Sequence, residues 1–250
     1  MIDRVSGTAT RTAETPPFVV THARAVGVFL LLLPFPFALV GSLSSSLIVP
    51  GDAAATANHI LASESLFRLG IVRALLLQIV VAFLAVPVFY QLLKPVNKTL
   101  AVLMVILALL GVPIAMLNEL NQFAILLLLH GADPSRAFTP EQMHAALSLL
   151  LKLHDTGGLI AGLFYGLWLV PYAVLVFMSG FLPRFFAVLL IIECFGFLIQ
   201  SFGGFLVPTL DANLALLPAI TSWAELFLPL WLVIRGVNVD QWAQRGRASA

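Results

Sequence analysis

The sequence predicts an all-α, polytopic membrane protein with six transmembrane helices and a small extracytoplasmic helical cap. Three observations support this class. Hydrophobic residues make up 60% of the 250-residue chain and charged residues 10%, whereas soluble domains carry about 25% charged residues. The mean hydropathy is +1.03, and several apolar runs reach the roughly 20 residues that a membrane helix needs. The net charge of +1 gives no indication of a nucleic-acid partner. The apolar runs make the lipid bilayer the expected partner.

Six apolar runs separated by polar turns predict the membrane helices. Their approximate bounds are 25–49, 69–93, 99–130, 140–179, 185–207 and 214–234. They form one membrane domain over 25–235, between cytoplasmic tails at 1–24 and 236–250. The third and fourth runs are longer than a bilayer crossing requires. We therefore expect them to project outside the membrane as a hairpin, with bends near Pro113 and at Gly157–Gly158.

Two helix-start signals place the cap. Asp52 is a suitable N-cap for a short surface helix within 52–67, which carries Ile60, Leu61 and Phe67 on its apolar side. We expect this helix to cover the apolar faces of the projecting hairpin. Thr139, Pro140 and Gln142 match a capping box at the start of the fourth membrane helix.

The distribution of basic residues predicts the orientation. With six crossings, one side holds most of the Lys and Arg residues: Arg4, Arg11, Arg24, Lys94, Lys98, Arg184, Arg235, Arg245 and Arg247. The other side holds Arg68, Arg73, Arg136 and Lys152. The positive-inside rule then places both termini in the cytoplasm.

Ionisable residues inside a membrane are the main clue to a site, because they are costly unless they are paired or hydrated. Arg73, Glu119, His154 and Asp155 are predicted near the outer ends of the second to fourth helices. They suggest a ligand pocket open to the outside, with His154 as a proton-exchanging group. The alternative is a structural network in which Arg73 pairs with Glu119 or Asp155.

Two further carboxyl groups are predicted deeper in the bundle. Glu225 falls near the middle of the sixth helix and Glu193 in the inner half of the fifth. They suit either a proton relay or a hydrogen bond between helices.

His154, Gly158, Gly162 and Gly166 recur every fourth residue and share one helix face. The glycines favour close helix packing, and a lipid or substrate groove is the other reading.

The sequence identifies no catalytic residue, no metal site and no cofactor. His22, His59, His130, His144 and His154 fall at different predicted depths and form no zinc-binding helix motif. The chain also has no G-x-S-x-G nucleophile motif. The single cysteine, Cys194, cannot form a disulfide within the chain.

Several segments together resemble a known bacterial family. The segments GDAAATANHILASESLFRLGI (51–71), LLKPVNKTLA (92–101), LHDTGGLIAGLFYGL (153–167), SGFLPRFFAVLL (179–190) and LWLVIRGVNVDQW (230–242) are similar to the integral-membrane family known as domain of unknown function 4386. The resemblance implies a compact helical fold in a bacterial cytoplasmic membrane and no particular activity. Relatives often carry a second histidine where this chain has Trp168, which argues against a paired-histidine metal or haem site.

Four functions remain open at this level. The leading hypothesis is a protein that binds a small or lipophilic ligand in the outer half of the bundle. The alternatives are a small-molecule or proton-coupled transporter that uses Glu193 and Glu225, an intramembrane enzyme with His154 as acid or base, and an accessory subunit of a membrane complex. The sequence indicates neither a particular protein partner nor an oligomeric state.

The predicted orientation can be tested by cysteine labelling in a Cys194→Ala background. Cysteines at Asn97 and Gly246 should be protected from a membrane-impermeant thiol reagent in intact cells, whereas a cysteine at Asp133 should react. Reaction at Asn97 together with protection at Asp133 would show that the orientation is reversed.

Overall fold

All regular structure in the described part of the chain is helical. The computed structural model describes residues 18–32, 34–130, 138–207, 214, 216–217 and 221–248. Its α-helices are α1 (Phe18–Thr21), α2 (Ala23–Leu32), α3 (Pro34–Ser45), α4 (Ala53–Ala62), α5 (Glu64–Val80), α6 (Val86–Leu93), α7 (Lys98–His130), α8 (Pro140–Leu167), α9 (Leu169–Ser179), α10 (Phe185–Leu206), α11 (Trp223–Arg235) and α12 (Val239–Ala248). The all-α class is confirmed.

Five helical segments are long and apolar enough to cross a membrane. They are Ala23–Ser45, Glu64–Leu93, Lys98–His130, Pro140–Ser179 and Phe185–Leu206. Many of their large apolar side chains are exposed, among them Leu76, Phe83, Leu103, Phe195 and Ile199, as contact with lipid requires. The chain is therefore a multi-pass membrane protein. Of the sixth predicted helix, the structure describes α11 and a few preceding residues, so a count of six stays a prediction.

Two helix boundaries differ from the expected ones. Phe18–Thr21, inside the predicted N-terminal tail, is helical, and the second membrane helix begins at Glu64 and not near 69. That second helix contains a π-helical turn at Val81–Ala85, which ends two residues before Pro87. Proline has no N–H group and its ring crowds the carbonyl four residues earlier, so a wider turn here accommodates Pro87.

The fourth membrane helix breaks at a different place from the one predicted. α8 continues through Gly157 and Gly158, and the interruption falls at Trp168, between α8 and α9. Pro171 explains this position, because it cannot donate a hydrogen bond to the carbonyl of Leu167. α7 is described as one helix with Pro113 inside it.

Neighbouring helices close into a ring. α3 packs on α5, α5 on α7, α7 along α8, α8 on α10, and α10 on α11, while α11 packs against α2, which is connected to α3. We call the end that holds α4 and the start of α8 the cap end. The opposite end, which holds α1 and α12, is the termini end.

The cap end has its own apolar core. Asp52 caps α4 by accepting a hydrogen bond from the Ala55 N–H at 2.8 Å. Ile60 and Phe67 are fully buried against residues of the α7–α8 hairpin such as Ile125 and Leu147. Leu61, which was expected on this apolar face, is exposed, because it lies about 100° around the helix from Ile60. Thr139 and Gln142 form the predicted capping box at the start of α8.

The termini end is closed by α12. The indole N–H of the buried Trp242 donates to the Leu92 carbonyl at 2.9 Å, and Arg245 Nε donates to the Ser179 carbonyl at 3.1 Å. Both acceptors belong to the last turn of a helix, where carbonyl groups have no partner within the helix. The predicted C-terminal tail is therefore a packed part of the bundle end.

The glycines of α8 allow close approach to its neighbours. A Cβ atom at Gly162 would lie 2.9 Å from Ser201 Oγ, and one at Gly166 would lie 3.1 Å from Phe197 Cβ, both on α10. A Cβ at Gly157 would overlap the Asn118 side chain of α7. Gly158 departs from the predicted stripe, because it is exposed and nothing lies within 4 Å of a Cβ added there.

This difference gives a matched test of helix packing. We expect Gly166→Leu to lower the free energy of unfolding in detergent by about 1–3 kcal/mol, as overpacking does. Gly158→Leu on the same helix should leave it within about 0.5 kcal/mol, as is usual for surface positions. Thermal unfolding followed by size-exclusion chromatography measures both. Equal losses at the two positions would contradict the packing described here.

Candidate functional site

The polar residues predicted at the cap end form a hydrogen-bonded network around His154. Its Nε2 lies 3.0 Å from Gln122 Nε2, and its Nδ1 lies 3.4 Å from the Asn118 carbonyl. The Asn118 side chain in turn donates to the His154 carbonyl at 2.8 Å. Asn121 donates to the Asn118 side chain at 3.0 Å. The contacts of His154 with Gln122 and Asn118 join α7 to α8, as a structural network would.

Arg73 and Glu119 lie beside this network. Glu119 is buried, with 8% of its surface exposed, and His154 and Arg73 are the positively charged or ionisable groups that act on its carboxylate. Arg73 Nε and Glu119 Oε2 are buried and have no hydrogen-bond partner in the described part of the chain. Arg73 therefore acts on the Glu119 carboxyl group electrostatically, with no hydrogen bond between Arg73 Nε and Glu119 Oε2.

The fourth predicted member of this cluster, Asp155, is placed differently. Asp155 is exposed on α8, whereas His154 is half-buried between α7 and α8. Successive helix residues point about 100° apart, which accounts for the separation. The structure thus brings together Arg73, Glu119 and His154, and leaves Asp155 at the surface.

A cavity of about 160 Å³ lies within the ring, in the half nearer the termini end. Six helical segments line it, with Leu30, Val81, Ala85, Val86, Phe89, Trp168, Leu169, Tyr172, Leu190, Glu225, Leu228 and Pro229. Almost all of these side chains are apolar or aromatic. This cavity is not the pocket expected near His154 in the outer half of the bundle, and that pocket stays a prediction.

Three aromatic rings form one wall of the cavity. The Trp168 and Tyr172 rings are stacked with centroids 5.3 Å apart. The Phe89 ring lies 5.0 Å from Tyr172 and 6.3 Å from Trp168. Trp168 is the residue at the break between α8 and α9, and Tyr172 follows it in the first turn of α9, so the break sets the orientation of this wall.

The two deep carboxyl groups meet at the same cavity. Glu225 lines it and is exposed, whereas Glu193 is fully buried behind it. Ser222 and Glu225 are the polar groups that act on the Glu193 carboxyl group, and its two oxygens are buried without a hydrogen-bond partner of good geometry among the described residues. The buried Tyr172 hydroxyl, in the field of both carboxylates, also has no hydrogen-bond partner among the described residues.

The sequence did not predict that Phe89 and Tyr172 line a cavity. It marked Trp168 only as a difference from relatives. A signal was present, since Tyr165, Trp168 and Tyr172 follow helical spacing of three and four residues. Such a stripe usually indicates core packing, and Tyr165 does pack in this way. Its hydroxyl donates to Gln78 at 3.0 Å.

The fold and the cavity define a polytopic α-helical membrane protein with an apolar internal site bordered by carboxyl groups. The family comparison agrees with the predicted resemblance. The chain belongs to the family described as Domain of unknown function (DUF4386), whose profile matches residues 25–236. Searches of curated proteins and of solved structures gave no match.

The role of the cap-end network can be measured by charge removal. We expect Arg73→Met to lower the free energy of unfolding by about 1–3 kcal/mol, because the buried Glu119 loses its compensating charge. Adding Glu119→Gln should restore part of that loss. Arg68→Met on the same helix is the control: Arg68 is exposed and pairs with Glu64 at 2.6 Å, and exposed pairs contribute at most about 1 kcal/mol. A double variant less stable than Arg73→Met would show that the two residues do not compensate each other.

Proposed function

We propose that this protein binds a small lipophilic ligand inside its helix bundle, at the cavity between Phe89, Trp168, Tyr172 and Glu225. The cavity itself carries the proposal. At about 160 Å³ it matches the size of an apolar cavity of about 150 Å³ that holds benzene in another protein. An apolar pocket with a few polar groups is the usual form of a small-molecule site.

The position of the cavity supports entry of the ligand from the membrane. Glu225 is exposed, and several neighbouring side chains on the same helices are apolar and exposed, including Leu226 and Leu84. A ligand dissolved in lipid would therefore meet an apolar surface before it reaches the carboxyl group.

We assign the protein to a bacterial cytoplasmic membrane, and the distribution of basic residues favours both termini in the cytoplasm. The cavity would then lie in the inner half of the bundle.

Transport of a small molecule is the second candidate. It is favoured by polar groups at successive depths along α8 and α9: His154 at the cap end, Tyr165 with Gln78 in the middle, and Tyr172 beside Glu225 nearer the termini end. Uptake of a labelled ligand into sealed proteoliposomes distinguishes transport from binding alone.

Filling the cavity tests the binding proposal. Ethylbenzene should raise the unfolding temperature of the wild-type protein, because a ligand that binds only the folded state stabilises it. Leu190→Trp, which places a larger side chain in the cavity wall, should remove this rise. Val188→Trp is the control on the same helix, since Val188 is 58% exposed and should leave the response unchanged. An undiminished response in Leu190→Trp would refute binding at this cavity.

A further inference from the structure

The cavity has a wall of carboxyl groups and aromatic rings, and none of its described lining residues is a Lys or Arg. The groups that act on the carboxylates of Glu193 and Glu225 are each other and the Ser222 hydroxyl, and none of these described groups is a Lys or Arg. Carboxylates at membrane depth are expected to have a counter-charge or a hydrogen-bond partner. Here both carboxyl oxygens of Glu193 are buried without a hydrogen-bond partner of good geometry among the described residues.

The buried hydroxyl of Tyr172 gives a second, independent observation. Only 3% of this residue is exposed, its oxygen has no hydrogen-bond partner in the described chain, and it lines the cavity. A buried hydroxyl without a partner is uncommon in native structures. The Tyr172 oxygen can accept a hydrogen bond from an N–H group of a ligand inside the cavity.

The aromatic wall adds the recognition chemistry of a cation. Phe89, Trp168 and Tyr172 place three ring systems within 6.3 Å of one another. The faces of aromatic rings attract ammonium groups, and aromatic cages are a common means of holding them. The remaining lining side chains, such as Leu190 and Leu228, would contact an apolar substituent of the same ligand.

We propose that the cavity binds a lipophilic organic ammonium ion, with the charged nitrogen between Glu225 and the rings of Phe89, Trp168 and Tyr172. This inference rests on the proposed function and specifies its ligand class. The nitrogen donates hydrogen bonds to the Glu225 carboxylate and the Tyr172 oxygen. The apolar part of the ligand lies against the leucine side chains. Such an ammonium can belong to a free amine or to the headgroup of an ethanolamine lipid.

The test compares two probes of equal size and different charge. Benzylamine, an ammonium ion at neutral pH, and neutral ethylbenzene are titrated calorimetrically into the protein in phosphatidylglycerol nanodiscs, with empty nanodiscs subtracted. Glu225→Gln should weaken benzylamine binding by at least about tenfold, in keeping with the loss of a charge-assisted hydrogen bond. Its effect on ethylbenzene should stay within about twofold. Phe89→Leu should weaken benzylamine binding by about three- to thirtyfold.

Glu64→Gln is the matched control, because it removes a carboxylate at the cap end, where Glu64 pairs with Arg68 and His130. It should leave the binding of both probes unchanged. The wild-type protein also gives a result that needs no variant, since benzylamine should bind more tightly than ethylbenzene. If phosphatidylethanolamine added to the nanodiscs competes with benzylamine, the ammonium of the ligand is a lipid headgroup. If it does not compete, the ligand is a free amine.

The outcomes separate this inference from the proposed function. If ethylbenzene binds at least as tightly as benzylamine and Glu225→Gln affects neither, the ammonium inference is overturned while binding of a lipophilic ligand stands. If neither probe binds the wild-type protein, both fail.

Discussion

The close approach of α8 to α7 and α10 is the constraint on which the other features depend. Apolar helices gain little from the hydrophobic effect in lipid, so they associate through van der Waals contact and hydrogen bonds. Gly157, Gly162 and Gly166 let α8 come near enough for both. On one side this approach allows the exchange of hydrogen bonds between Asn118 and His154. On the other it positions the end of α8 and the start of α9, and with them the aromatic wall of the cavity.

The two polar regions of the bundle differ in how their atoms are satisfied. At the cap end, His154, Gln122 and Asn118 find partners on the facing helix, whereas Arg73 Nε and Glu119 Oε2 find none in the described chain. Beside the cavity, the oxygens of Glu193 and the hydroxyl of Tyr172 find none in the described chain. Burying polar groups without partners is unfavourable. Buried polar atoms without partners therefore occur in both regions, and the carboxyl and aromatic groups of the second border the cavity, which is the physical reason for proposing ligand binding there.

The segments that carry the family resemblance also have a structural explanation at the termini end. The segment 92–101 supplies the Leu92 carbonyl, the segment 179–190 supplies the Ser179 carbonyl, and the segment 230–242 contains Trp242, which binds the first of these. Gly180 follows Ser179 with φ +76°, a left-handed conformation that suits glycine after a helix. Segments far apart in sequence thus meet where the carbonyl groups of two helix ends, those of α6 and α9, are satisfied.

The sequence by itself determined the class, because the length and polarity of each run decide whether a segment can lie in lipid. It also determined the caps at Asp52 and Thr139, whose hydrogen bonds are local, and it singled out Glu225 because an intramembrane carboxyl is rare. Only the tertiary structure decided which residues meet. Helical periodicity states that Trp168 and Tyr172 share a face, but whether that face borders a void or a neighbour depends on helices far away in sequence. The cavity was therefore missed, because it is made by the spacing between helices rather than by any one of them.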